Sequence, residues 1–164
     1  MDFMIRQVTT QDLNRVANIE KSCFPKAEAA TTATLEGRIK AFPESFLVAE
    51  LENKIVGFIN GAVLNEKIIQ DKFYDDTSFH NSRGDYQSIF GLDILPQYRR
   101  QGIAAGLIKK LIEVARKEER KGLTLCCKDE KIHYYEKFGF LNMGRSQSEH
   151  GHAVWYDMVL LFNE

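Results

Sequence analysis

The stretch that most constrains this chain runs from Leu92 to Phe140, with the strand that leads into it. Gln87–Leu95 is a strand-like run that stops at Pro96. A basic turn follows, centred on Arg99-Arg100-Gln101-Gly102-Ile103-Ala104. From Gly102 to about Glu119 the apolar residues Ala104, Leu107, Ile108, Leu111, Ile112 and Ala115 recur at helical spacing. Leu123–Cys127 (LTLCC) then reads as a short buried strand. A strand, a long helix and a second strand make a crossover unit, which demands a parallel pair within an otherwise antiparallel sheet. The turn has a chemical consequence. The first N–H groups of a helix lack partners within it, and the helix dipole favours negative charge there, so a strand leading by a turn into a helix N-terminus is a ready anion site.

The rest of the chain surrounds that unit with helices and hairpins. Phe3–Val8 alternates apolar and polar residues as a first strand, and Thr9-Thr10-Gln11-Asp12 is capping material for a helix ending near Cys23-Phe24-Pro25. A second helix is predicted from about Glu28 or Thr31 to Ala41. Ser45–Glu50 and Ile55–Leu64 read as antiparallel strands about the turn Glu52-Asn53-Lys54, with Gly57 and Gly61 marking a bend or a close backbone approach. Glu66–Tyr86 is polar and irregular, with one helical turn expected around Ile68–Phe73. Asp129–Phe138 is a short helix closed by Gly139, and Leu141–Arg145 with Ala153–Phe162 forms a last hairpin. The order is β-α-α-β-β-β-α-β-α-β-β, with no repeat, low-complexity stretch or linker.

Composition narrows the partners. The 164 residues carry 22 Lys+Arg against 23 Asp+Glu, so overall charge gives no case for nucleic acid or an anionic membrane. The basic residues instead concentrate in the central stretch (Arg99, Arg100, Lys109, Lys110, Arg116, Lys117, Arg120, Lys121), a local field suited to a phosphorylated small molecule. Three cysteines, two of them adjacent (Cys23, Cys126, Cys127), are a poor disulfide framework. With no signal-peptide pattern and no apolar run of about 20 residues, a cytoplasmic protein without a membrane span is expected. No Cys/His spacing suits zinc and no Walker A or GxGxxG sequence occurs, so no metal is expected.

The element order, the Arg-x-x-Gly-x-Ala turn and Tyr134-Tyr135-Glu136-Lys137-Phe138-Gly139-Phe140 together resemble the GNAT superfamily of acyl-CoA-dependent N-acetyltransferases. The resemblance implies one α/β (α+β) domain over residues 1–164, with a mixed, mostly antiparallel sheet of about six or seven strands and about four flanking helices. It implies acetyl-CoA as co-substrate. The strand at Leu92, Asp93 and Ile94 would meet the pantetheine arm, and Arg99, Arg100, Gln101, Gly102, Ile103, Ala104 and Ala105 would cradle the pyrophosphate. The tyrosine before Glu-x-x-Gly-Phe, Tyr135, would contact the cofactor and protonate the departing thiolate, a role open to a phenol of ordinary pKa near 10. Cys126 and Cys127, ending an apolar strand, read as core residues rather than nucleophiles.

Within the superfamily the chain is most similar to the arylalkylamine (serotonin-type) branch, on Cys23-Phe24-Pro25 with Glu28-Ala29-Ala30, Ala41-Phe42-Pro43, and Cys127 eight residues before Tyr135. It departs where that branch carries two proton-relaying histidines, since Ser88 and Phe90 stand at those positions. A water held by Ser88, or Asp85 or Glu66, becomes the candidate base. Asp93 falls on the other strand face by alternation. His80, His133, His150 and His152 show no pairing. Phe24, Phe42, Phe90 and Trp155, with Ser88, are candidates to line the acceptor. The expected activity is acetyl transfer to a primary amine, an aryl- or alkylamine small molecule. A polyamine or peptide amine acetyltransferase, with Asp75-Asp76 collecting cations, and a non-catalytic acyl-CoA-binding domain are the alternatives. A monomer or a homodimer paired through Ala153–Phe162 fits the pattern.

Overall fold

A computed structural model describes residues 2–162. The strands are β1 (Met4–Gln7), β2 (Phe46–Leu51), β3 (Lys54–Asn60), β4 (Val63–Leu64), β5 (Tyr86–Ile89), β6 (Gly91–Ile94), β7 (Gly122–Cys127), β8 (Leu141–Arg145) and β9 (Tyr156–Leu161). The helices are α1 (Leu13–Cys23), α2 (Thr32–Ala41), α3 (Lys72–Asp75), α4 (Ile103–Lys117) and α5 (Asp129–Glu136). The described chain divides into two compact units. The first holds the chain up to Gly61 together with Gly91–Leu111, and the second holds Ala62–Phe90 together with the chain from Ile112.

In the first unit an antiparallel sheet runs in the order β1-β2-β3-β6. The β2–β3 hairpin turns on Glu52 and Asn53, both with positive φ (52° and 66°), the conformation a two-residue primed turn needs. Gly57 faces the backbone of β6, where a Cβ would stand 2.6 Å from the Asp93 carbonyl, so a side chain there would push the strands apart. The core joins Val16, Ala17 and Ile19 of α1 and Leu35 and Ile39 of α2 to Phe46, Val48, Ile55 and Phe58 of the sheet. Thr31 caps α2 by accepting the Thr34 N–H, which ends the preceding loop as the sequence predicts.

In the second unit the order is β4-β5-β7-β9-β8. The β5–β7 pair is parallel and all other pairs in this sheet are antiparallel, as the crossover requires. Leu123, Leu125, Met158, Val159 and Phe140 are buried there. The fold class read from the sequence is therefore found. The strand count is higher than expected, because two runs that read as single strands are each interrupted: Ile55–Leu64 at Gly61-Ala62 and Gln87–Leu95 at Phe90. Both interruptions lie at points where the chain passes from one unit to the other. The helical turn expected around Ile68–Phe73 lies later, at Lys72–Asp75.

Candidate active site

The turn before α4 is built from backbone. Arg100 has φ +64° and Gly102 has φ +84°, both left-handed, so the chain doubles back before Ile103 starts the helix. The first helical bond runs from the Gly106 N–H to the Gly102 carbonyl. The N–H groups ahead of it have no partner in the helix, and successive amides in a left-handed turn make a concavity for an anion. A Cβ on Gly102 would meet nothing within 4 Å, so glycine is required by φ rather than by crowding. Left-handed backbone, orphan N–H groups and open space fit a phosphate-bearing ligand such as acetyl-CoA.

The expected anion ligands divide between exposed side chains and one tied back to the chain. Arg100 and Gln101 are exposed at the turn. The Arg99 guanidinium folds back on its own unit, where Nε donates to the Ile94 carbonyl at 2.9 Å and Nη2 lies 3.6 Å from Cys23 Sγ. Arg99, itself exposed, thereby ties the strand-to-helix turn back to Ile94. Ile103 is buried at the base of the helix, and Ala104 and Ala105 are half-buried.

The strand ahead of the turn corrects several expectations. Ser88 is fully buried and its hydroxyl donates to the Ala62 carbonyl at 2.6 Å, so its proton is already committed and it has no surface on which to hold a catalytic water. Phe42 is likewise 0% exposed and cannot wall an accessible pocket. Asp85 pairs with Lys121 (3.4 Å), and Glu66 is exposed and accepts from Gln70. Asp93 was expected at the pantetheine strand and off the reacting face. Its side chain is fully buried within the first unit, beside Glu20 of α1 and Arg38 of α2. Alternation counted through Phe90 does not reach Asp93, because the strand is interrupted there. Leu92 is half-buried and Ile94 buried, and both lie in register with β3.

Asp93 belongs to a polar group that the sequence reading missed. Arg38 Nη1 donates to Asn60 Oδ1 at 3.0 Å, and Glu20 Oε2 accepts the Ala30 N–H at 2.8 Å. Glu20, Arg38 and Asn60 are all buried. Burial first, then the Glu20 carboxyl, raise Asp93 well above the usual carboxylate range, with Cys23 adding to the rise and Arg38 opposing it. The available signal was polarity in the wrong place: Glu20 follows Ile19 on an apolar helix face, and Asn60 interrupts the run IVGFINGAVL.

In the second unit Tyr135 is half-buried on α5, its ring edge-on to Tyr134 and to Phe140 at 5.4 and 5.9 Å. An aromatic chain lies elsewhere in this unit. Phe90 contacts Tyr74 (4.8 Å between centroids), Tyr74 stacks on His150 (5.7 Å), and His150 contacts Trp155 (6.1 Å). Lys128 Nζ sits 5.7 Å over the Trp155 ring, so that face already accepts a cation. Asp71 holds the loop that carries His150 by accepting from the Ser148 hydroxyl and the Glu149 N–H. Cys126 Sγ lies 3.4 Å from Asp157 Oδ1. Burial, reinforced by Asp157, pushes the Cys126 thiol up to about 12, and burial with Glu130 pushes Cys127 up to about 11. Thiols held protonated in this way are poor nucleophiles. Phe24 is half-buried in the first unit. Of the expected acceptor residues, Phe90 and Trp155 share the aromatic chain, with Tyr74 and His150 as members the sequence did not indicate.

Comparison with known proteins places these features. The family described as "Acetyltransferase (GNAT) family" matches residues 13–140. The probable hydrolase YhcX of Bacillus subtilis is 26% identical over 169 residues, which cover 98% of this chain and 32% of that protein. The chain thus spans about a third of the length of that curated relative. Among solved structures, the loading GNATL domain of CurA from Lyngbya majuscula superposes with a TM-score of 0.82 at 14% identity, covering 98% of both chains. The GphF GNAT-like decarboxylase, in complex with isobutyryl-CoA, gives a TM-score of 0.82 at 16% identity over 96% of this chain and 98% of the other. These two likenesses are of fold.

Proposed function

The chain belongs to the GNAT acetyltransferase family, and on that premise we propose that it moves the acetyl group of acetyl-CoA directly to a primary amine, an aryl- or alkylamine small molecule. The observation that carries the cofactor half is the left-handed turn at Arg100 and Gly102 entering α4, with open space at Gly102 and first-turn N–H groups that have no partner within the helix. The turn amides of Gln101–Ala105 bind the pyrophosphate, and the exposed Arg100 adds positive charge. Acetyl-CoA supplies an activated thioester. The backbone of β6 at Leu92–Ile94 aligns the pantetheine arm, and an N–H near Ile94 stabilises the oxyanion formed on attack. The Tyr135 hydroxyl gives its proton to the departing sulfur. The raised thiols of Cys126 and Cys127 favour direct transfer over a covalent enzyme intermediate.

The aromatic chain Phe90–Tyr74–His150–Trp155, with a lysine already over Trp155, supports an acceptor that brings a ring or alkyl body and a cationic head. Asp76 is engaged as a cap on the Ser78 N–H, which weakens the case for Asp75-Asp76 as a polyamine collector. The test is CoA thiol release from acetyl-CoA across phenylethylamine, tryptamine, putrescine and a peptide amine, with products weighed by mass spectrometry. Turnover best with phenylethylamine or tryptamine supports the reading. Preference for putrescine or the peptide moves the acceptor class. Acetyl-CoA binding without release for any amine identifies a non-catalytic acyl-CoA-binding domain.

A further inference from the structure

One carboxylate of the second unit lacks a strong partner. Asp157 lies near the start of β9, in register with Cys126 of β7, and is 8% exposed. The Cys126 thiol donates to Oδ1 at 3.4 Å, and a thiol is a weak donor. Among the described residues no lysine or arginine pairs with Asp157, and Oδ2 bonds to no side chain. The Asp93 oxygens are both unbonded and sealed, whereas Oδ2 is not among the sealed atoms, so it keeps contact with solvent. A carboxylate taken almost wholly out of water calls for a cation or several strong donors. The chain supplies Asp157 with neither.

The surroundings show what can approach it. Trp155 stands two residues before Asp157, and its carbonyl accepts the Ser146 N–H at 2.8 Å, which carries the β8–β9 pairing one step further. Alternation then puts Trp155 and Asp157 on one face of the sheet, with Cys126 opposite Asp157 on that same face. Tyr74 reaches this place from the loop above. Its side chain hydrogen-bonds to that of Cys126, and its ring meets both Phe90 and His150. Phe90, Tyr74, Cys126, His150 and Trp155 are each half-buried, so the group is open rather than sealed. The loops that carry the rings are tied down. Thr124 Oγ1 donates to the Lys67 carbonyl at 2.6 Å, and Asp71 accepts from the Ser148 hydroxyl and the Glu149 N–H. An aromatic wall held in place beside an underserved carboxylate is suited to an organic ammonium. Lys128 already lies 5.7 Å over the Trp155 ring, so an incoming cation finds its place at the carboxylate rather than on that face.

We propose that Asp157 holds the acceptor's ammonium head, with the apolar body of the amine lying along Phe90, Tyr74, His150 and Trp155. The inference rests on the amine acetyltransferase reading and names the residue that selects the acceptor for its charge. An alkylamine is an ammonium at neutral pH, so the docked form is the abundant one. It meets Asp157 Oδ2 through a charge-assisted hydrogen bond in a place largely out of water, where such a bond is stronger than at an open surface. The Cys126 thiol keeps Oδ1, which orients the carboxylate and leaves Oδ2 for the ligand. A neutral molecule of the same shape gains the aromatic contacts alone and leaves the carboxylate without its cation. The site therefore selects for charge first and for a ring or alkyl chain second.

The experiment titrates the full chain with phenylethylamine and with its neutral counterpart phenylethanol, by tryptophan fluorescence and by calorimetry. CoA stands in for acetyl-CoA, so no acetyl group is transferred. Trp155 is the only tryptophan in the sequence, so the emission reports on this site. Phenylethylamine should bind about 30-fold tighter than phenylethanol, and both should change the Trp155 emission. In Asp157→Asn the preference should shrink to less than about threefold while the affinities for phenylethanol and CoA hold, a split that a misfolded site would not give. Should that variant fail to fold, Cys126→Ala carries the same test. Removing the thiol's share of the carboxylate should widen the preference about threefold and leave phenylethanol binding as it was, and a preference that does not widen counts against the proposal. Equal wild-type affinity for the two ligands, a preference that survives in Asp157→Asn, or amine binding that leaves the Trp155 emission unmoved would overturn it. Charge-selective binding without acetyl transfer once acetyl-CoA is supplied would leave the site standing and overturn the acetyltransferase reading instead.

Discussion

Asp93 is fully buried and Tyr135 half-buried, and each position carries its own prediction. Asp93 is sealed from solvent, and its raised proton affinity makes a stability statement. An unfolded aspartate titrates near 3.9. Between that value and its folded value, the native state holds a proton that the unfolded chain has released, so stability contributed at low pH is lost as pH rises through the folded value. Asp93→Asn removes that titration. The stability of the wild-type protein relative to Asp93→Asn should therefore fall as pH climbs from about 4 toward neutrality, as read from urea midpoints at a series of pH values. Parallel curves would mean that burial does not raise Asp93. Tyr135 is half-buried and packed edge-on by two rings, so Tyr135→Phe keeps the packing and removes only the hydroxyl. Turnover should drop about 100-fold with acetyl-CoA affinity unchanged by calorimetry, and unaltered turnover would remove the tyrosine from its role.

Among the elements, the β5–turn–α4–β7 region was the most legible, because its apolar stripe, its Pro96 stop and its glycine all act locally on the backbone. The parallel β5–β7 pair follows from that order alone. What escaped the sequence was the interruption at Phe90. A break in a strand depends on what its two halves pair with, here β7 for one and β3 for the other, and no property of Phe90 announces it. That interruption ended the alternation count and hid Asp93, whose partners on α1, α2 and β3 are remote in sequence. The turn into α4 carries its own prediction. Gly102→Ala forces a Cβ into a left-handed conformation and should cost about 1 kcal/mol of stability, visible in the melting temperature. Because the turn amides are the proposed pyrophosphate cradle, the acetyl-CoA Kd should rise about tenfold. A stability loss with unchanged Kd would leave the turn as structure alone.

Across the whole molecule, charge is balanced and basic residues cluster locally. The 22 basic and 23 acidic residues leave a net charge of −1, too little to steer a cation from a distance. Charges that do matter are held at short range. Arg6 pairs with Asp12 at 2.8 Å and with Glu50 at 2.6 Å, and Lys121 pairs with Asp85 at 3.4 Å. An acceptor recognised by aromatic faces is recognised by contacts that salt reaches poorly. A polyamine gathered by an exposed acidic loop would be recognised through the solvent. The two cases separate on ionic strength. Between about 0.01 M and about 1 M salt the Debye length falls from roughly 30 Å to roughly 3 Å, which removes long-range attraction and leaves desolvated contacts almost intact. For the proposed arylalkylamine, kcat/KM should change by less than about threefold over that range, since rim charges alter encounter rates far more than buried contacts do. A steep, monotonic fall would place recognition on the surface acids and return the polyamine to first choice. The acetyl-CoA KM, read in the same assays, should be the more salt-sensitive parameter, because its pyrophosphate meets exposed Arg100 at a turn open to solvent.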